Sequence, residues 1–322
     1  MSDLLAKVRK IATHFNHSVL AKQRLQDIQQ SLDLPVHAIV QSIPTRWNSA
    51  LHMLQRVLEQ KRSLSWYSAE HGHIQNSLPN EHEWSLIENL IETLEPFNRV
   101  TLDISRKDAT ISLIIPSVGV LKLLLGSSGP ETRGIKSMRE VMLRSINSRF
   151  CKIQENRQAM LACLLDPRFK DRAILDEASK QRAIQWMEEE SNALAASIPT
   201  AEPEVTQPGP SSLDTMFDLI LHHERPSSGT GSSQLHQYML EPVADRKKTD
   251  VCKWWHDNAC RFHILAILAR KYLSAPPTSV PSERVFSTAG NIYADNRCSL
   301  LGANAEKLCF LNYNLRLLNW SY

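Results

Sequence analysis

The sequence lacks the features that mark secreted, membrane-spanning or strongly nucleic-acid-binding proteins. Its six cysteines contain no C-x-x-C pair, a pattern typical of reduced thiols in a cytosolic or nuclear protein. No stretch reaches the roughly 20 apolar residues that cross a bilayer, because the most apolar one, starting at Thr110, contains Pro116 and Lys122. The formal net charge of +3 permits DNA as a partner without requiring it. We therefore expect no membrane association.

What is present is mostly helical periodicity. Leu4, Leu5, Val8 and Ile11 already form a helical stripe, so the chain begins within an amphipathic helix and we expect an N-terminal part to be missing. Residues 36–43, "VHAIVQSI", are the one segment that predicts a strand, since they are short and rich in β-branched residues. A single strand cannot form a sheet, so its partners are absent or unrecognised.

Three separated motifs occur in one order along the chain. They are "TRWNSALHMLQR" at 45–56, "LLDPRFK" at 164–170, and a long C-terminal segment running from "KWWHDN" at 253 to "EKLCFLNYNL" ending at 315. Together they resemble the C-terminal part of a hAT-superfamily transposase, or of a host protein derived from one, in the group that includes zinc finger BED-type proteins.

This resemblance implies a mainly α fold: an all-helical insertion domain, plus the last strand and the returning helix of an RNase H-like α/β fold truncated at the N-terminus. It divides the chain into four expected segments. They are residues 1–43 as the remnant of the RNase H-like core, 44–196 as the helical insertion, 197–235 as a disordered linker rich in Pro, Gly and Ser, and 236–322 as the C-terminal dimerisation region with the returning helix.

Glu283 lies where the resemblance places the third acidic residue of a metal-dependent nuclease centre. A carboxylate set of this kind binds divalent metals, which activate the attacking hydroxyl and stabilise displacement at phosphorus. In the family, two aspartates and a zinc-binding BED finger precede the part that this chain matches. We therefore expect Glu283 to be vestigial and the chain to hold neither Mg²⁺ nor zinc. The alternative for Glu283 is a first-turn glutamate favoured by the helix dipole.

Arg46 and Trp47 stand at the start of the predicted insertion, where the resemblance implies contact with DNA. An indole ring can stack on a base that has been flipped out of the duplex. The alternative is a core tryptophan that anchors the insertion, with Arg46 paired to an acid.

The C-terminal region supplies the candidate dimerisation residues. Its leucines recur at spacings of three and four, as in a heptad seam, and the alternative is packing against the chain's own body. We expect the two tryptophans to belong to the core as well as to the interface. The candidates are Trp254, Trp255, Phe286, Leu308, Leu311, Leu315 and Leu318.

Cys252, His256, Cys260 and His263 have the side chains of zinc ligands, at spacings of four, four and three. We interpret them as one face of a single straight helix, which offers at most two ligands to one metal. We therefore predict no metal site here.

The leading functional hypothesis is a transposase-derived, nuclear, chromatin-associated protein that dimerises with itself or with related hAT proteins and is not an enzyme. DNA is a second candidate partner. One alternative is an incomplete gene model of an active hAT DNA transposase. Another is a nuclear transcription regulator of the BED-finger type.

Overall fold

The computed structural model describes residues 2–127, 129, 134–197, 231–292 and 300–315 of the 322-residue chain. The described part is mainly helical, as predicted. Most of the predicted linker and Leu318 lie outside it. The α-helices are α1 Ser2–His17, α2 Val19–Ser31, α3 Trp47–Glu59, α4 Lys61–His71, α5 Glu81–Ile104, α6 Ile114–Gly126, α7 Ile135–Arg149, α8 Arg157–Leu165, α9 Glu177–Ser197, α10 Gly231–Leu240, α11 Val251–Asp257, α12 His263–Leu273, α13 Val280–Ile292 and α14 Gly302–Asn314.

The described helices include none long and apolar enough to cross a bilayer. The chain divides into two compact units, Met1–Leu102 with Val120–Phe150, and Asp103–Gly119 with Cys151–Tyr322.

Unit 1 is built on the apolar faces of α1 to α5. The stripe of α1 that the sequence predicts is buried, and it shares one core with residues of α2, α3, α4 and α5. Residues 1–43 thus pack with the helices that follow them. Gly72 ends α4 in the left-handed conformation, with φ of 65°, which glycine adopts without a Cβ clash. At one margin of this core Lys7 pairs with Glu83 at 2.7 Å.

The strand predicted at residues 36–43 is not confirmed. The segment has no regular secondary structure, and the described ranges contain no strand that could form a ladder with it. Side chains from the helices donate hydrogen bonds to carbonyl groups in this segment and next to it. A backbone carbonyl that is not paired in a sheet still needs a donor. These hydrogen bonds, of 3.1, 2.9 and 2.9 Å, run from Gln60 to Pro35, from Gln29 to His37 and from Arg56 to Ala38.

Unit 2 surrounds α8. Every side chain from Ala159 to Leu165 is buried, as expected for a helix that is apolar all round. Helices α9 and α12 and the turn Ile111–Leu113 pack against it. Helix α10 packs on α9 and α12. The candidate residues of this unit lie in the motif at 164–170, which ends α8, and in helices α11 to α14.

Candidate functional site

The "LLDPRFK" motif forms a buried turn after α8. The carboxylate of Asp166 is fully buried and accepts hydrogen bonds from Nε and Nη2 of Arg168 at 2.9 and 2.7 Å. Ser112 Oγ donates to the same carboxylate at 2.6 Å. The hydroxyls of Thr110 and Ser112 lie 2.6 Å apart, so that Thr110 donates to Ser112 in turn. A buried charge is tolerated only with such a full set of partners.

Lys170 ends this motif and is 1% exposed. Its Nζ donates to the carbonyls of Tyr238 and Glu241, at 2.5 and 2.6 Å, and lies 4.5 Å from the centre of the Tyr238 ring. Burial lowers the pKa of Lys170. Because the last carbonyls of a helix lack partners within it, the ammonium caps the C-terminal end of α10.

Helix α8 is capped in return by aromatic residues of the C-terminal region. Tyr238 Oη donates to the carbonyl of Leu164 at 3.1 Å, and Trp255 Nε1 donates to the carbonyl of Leu165 at 2.8 Å. The motif after α8 thus caps α10, while side chains from α10 and α11 cap α8. This exchange joins the second and third sequence motifs.

Trp254 and Trp255, two predicted dimerisation residues, belong to the core of unit 2. Trp255 is 5% exposed, and its ring lies 5.2 Å from that of Tyr238. Trp254 is half-buried and stacks on Phe262 at 6.3 Å. Of this pair, Trp254 is the more exposed.

The single straight helix expected through Cys252 and His263 is wrong. Helix α11 ends at Asp257 and α12 begins at His263, because the chain turns at Asn258 to bring Phe262 back onto the tryptophans. Within the described residues no group of three His, Cys, Asp or Glu side chains could hold a metal ion. His263 Nδ1 instead lies 2.9 Å from the amide of Gln234.

A groove of about 590 Å³ runs along α11 and α12. Its floor is apolar, and Ile267 is 48% exposed within it. Its rim is polar, since Cys252, His256 and Arg270 are exposed. The floor includes Trp255, Ala259, Ala266, Ala269 and Leu273. This groove could not be predicted from the sequence, because Ile267 and Arg270 lie in a helix whose apolar pattern is that of an ordinary core helix.

Helices α13 and α14 contact each other and expose large apolar side chains. Phe286, Leu308 and Leu311, all predicted dimerisation residues, are 74%, 40% and 45% exposed. Leu315 is half-buried. Two exposed residues were missed, Phe310 at 66% and Tyr313 at 54%; the exposed apolar face of α14 is wider than the heptad seam that the leucine spacing predicted.

Glu283 lies in the first turn of α13 and is exposed. Its carboxylate accepts a hydrogen bond from Ser279 Oγ at 2.6 Å. The neighbouring Arg284 donates to the carbonyl of Ser105 at 2.7 Å, which ties α13 to the segment after α5. Among the described residues, no group of three His, Cys, Asp or Glu side chains that could hold a metal ion includes Glu283.

Arg46 and Trp47 begin α3, with Arg46 as its N-cap residue. Trp47 is 44% exposed and Arg46 is exposed as well. The turn before them is fixed by Ser49, whose hydroxyl donates to the carbonyl of Ile43 at 2.9 Å and accepts from its N–H at 2.7 Å. A large part of the indole is therefore accessible, unlike that of a core anchor.

Comparison with known families confirms the resemblance drawn from the motifs. Residues 234–315, from α10 to α14, match the hAT family C-terminal dimerisation region. Residues 1–93, within unit 1, match the ZBED1 RNase-like helical domain. The chain thus matches an RNase-like helical domain in its first 93 residues and a hAT dimerisation region in residues 234–315.

Its relatives include zinc finger BED domain-containing proteins 4 and 6 of Homo sapiens, each 27% identical to it and each matching all of this chain. A putative AC transposase of Zea mays is 23% identical over 91% of the chain. The chain spans 28%, 36% and 39% of the lengths of these three relatives.

Proposed function

We propose that this chain is an assembly module of a transposase-derived nuclear protein, which dimerises with itself or with related hAT proteins and does not cut DNA. The observation that carries the proposal is the match to the dimerisation region, whose last two helices expose Phe286, Phe310 and Tyr313. Apolar groups of this size, exposed on two helices that contact each other, are typical of a surface that a partner covers.

The nuclear location and the lack of catalysis belong to the same proposal. The relatives are named as a transposase and as zinc finger BED proteins, and these names support a DNA-associated role in the nucleus. The pairing of Glu283 with its own helix start supports a structural role for this carboxylate. We further propose that residues 36–43 are an edge strand in a protein that supplies neighbouring strands, since Val36, Ile39, Val40 and Ile43 are β-branched.

Sedimentation of the purified chain over a concentration series tests the dimer. We expect the wild type to sediment as a dimer that dissociates on dilution, and a Leu308→Ser/Leu311→Ser variant to be monomeric at the same concentrations because it loses apolar interface area. Leu102→Ser, which removes a leucine that is 57% exposed in unit 1, should leave the dimer unchanged. A monomer at every wild-type concentration contradicts the proposal.

DNA contact through Trp47 is a second candidate function, favoured by the exposure of this indole. We expect Trp47→Ala to weaken binding of a labelled DNA duplex with a single-stranded overhang by about tenfold, since stacking contributes roughly 1 to 3 kcal/mol per base. Trp66 is the matched control, because it lies in the same unit and is 52% exposed. Equal losses for Trp47→Ala and Trp66→Ala, or no binding by the wild type, would count against this role.

A further inference from the structure

The groove along α11 and α12 is an apolar surface bordered by a cation that has no ion-pair partner among the described residues. Ile267 is half-exposed on its floor. Arg270, one turn further along α12, lines the same groove, and among the described residues it makes no ion pair. A floor of this kind, with a charged residue at its edge, has the anatomy of a protein interface.

Helix α14 presents the complementary pattern. Glu306, Phe310 and Tyr313 follow each other at spacings of four and three, so they share one face of the helix. The aromatic pair is 66% and 54% exposed. Glu306 is also exposed, and it has no cationic partner in the described part of the chain.

The two surfaces match when the helices run antiparallel. Ile267 and Arg270 are separated by about 4.5 Å along α12, and Phe310 and Glu306 by about 6 Å along α14, from a rise of about 1.5 Å per residue. Antiparallel docking therefore places Phe310 over Ile267 and brings Glu306 to Arg270. Both surfaces fall within the matched dimerisation region, residues 234–315.

We infer that the groove of one chain receives the exposed face of α14 from a second copy, with Phe310 in the groove and Glu306 paired to Arg270. This inference rests on the proposed dimerisation. In a two-fold symmetric dimer the contact forms twice, so each copy supplies one groove and one helix face. Docking buries Phe310 and Ile267 together and gives both unpaired charges a partner.

Charge reversal tests the pairing in the full chain. Arg270→Glu and Glu306→Arg should each weaken the dimer by about tenfold, because each places like charges side by side. The Arg270→Glu/Glu306→Arg double variant should recover most of the lost affinity. Phe310→Ser should weaken the dimer too, whereas Leu123→Ser, which alters a leucine that is 62% exposed in unit 1, should not. Sedimentation equilibrium gives the affinities, and circular dichroism confirms that each variant is folded.

The possible results distinguish the docking site from the proposed dimerisation on which it rests. A wild-type monomer overturns both. A wild-type dimer that Arg270→Glu, Glu306→Arg and Phe310→Ser leave intact overturns the docking site alone. Two weakened single variants without recovery in the double variant overturn the Glu306 to Arg270 pairing.

Discussion

Asp166→Ala should destabilise unit 2 by about 3 to 5 kcal/mol, the cost of breaking a buried ion pair by removing one partner. The substitution leaves the guanidinium of Arg168, whose side chain is 15% exposed, without its carboxylate. It also leaves Ser112 without the acceptor that it reaches at 2.6 Å. Chemical denaturation followed by tryptophan fluorescence measures the change in the free energy of unfolding.

The chain offers a matched control for this substitution. Arg106 also donates through Nε and Nη2 to the carboxylate of Asp108, two residues away, at 2.9 and 2.6 Å. The geometry is the same, but these side chains are 63% and 60% exposed. Asp108→Ala should therefore cost no more than about 1 kcal/mol. Similar losses for Asp166→Ala and Asp108→Ala would show that burial of the first pair contributes little.

Much of the helical architecture could be predicted from the sequence, because helix periodicity is a local signal. The stripe through Leu4, Val8 and Ile11 became the buried face of α1. Whether residues 36–43 pair as a strand could not be predicted from a local pattern. β-branched residues show that a segment suits an extended conformation, while ladder partners are a tertiary property, and here Gln29, Gln60 and Arg56 bind its carbonyls instead.

The candidate site was predicted in part, and the misses have a physical cause. Phe286, Leu308 and Leu311 were selected by motif and spacing, and the structure exposes all three. Trp255 was expected in both the core and the interface; the structure buries it, and its indole caps the end of α8. The turn between α11 and α12 interrupts no hydrophobic pattern that could be recognised in the sequence. The groove at Ile267 and Arg270 depends on how these two helices pack, so it becomes visible only in the structure.

Lys170 carries the second large expected effect. Its backbone is in the left-handed region, with φ of 52°, where a residue with a Cβ pays about 1 to 2 kcal/mol. Glycine would suit this backbone better, so the side chain must compensate. It does so through two bonds to the carbonyls of Tyr238 and Glu241, which hold the end of α10 against the turn that follows α8.

Lys170→Met keeps most of the aliphatic stem and removes the ammonium, so the carbonyl of Glu241 loses this donor and that of Tyr238 keeps only the N–H of Glu241, at 3.3 Å. Since a buried polar group without a partner costs about 1 to 3 kcal/mol, we expect a loss of roughly 2 to 5 kcal/mol, measured by the same denaturation experiment. Lys271 is the matched control, because its Nζ also lies over a tyrosine ring, 4.8 Å from that of Tyr272, but its side chain is 61% exposed. Lys271→Met should lose no more than about 1 kcal/mol. A Lys170→Met protein as stable as the wild type would show that α10 does not depend on this cap. The Tyr238 and Trp255 hydrogen bonds and the apolar packing would then suffice to hold residues 234–315 to α8.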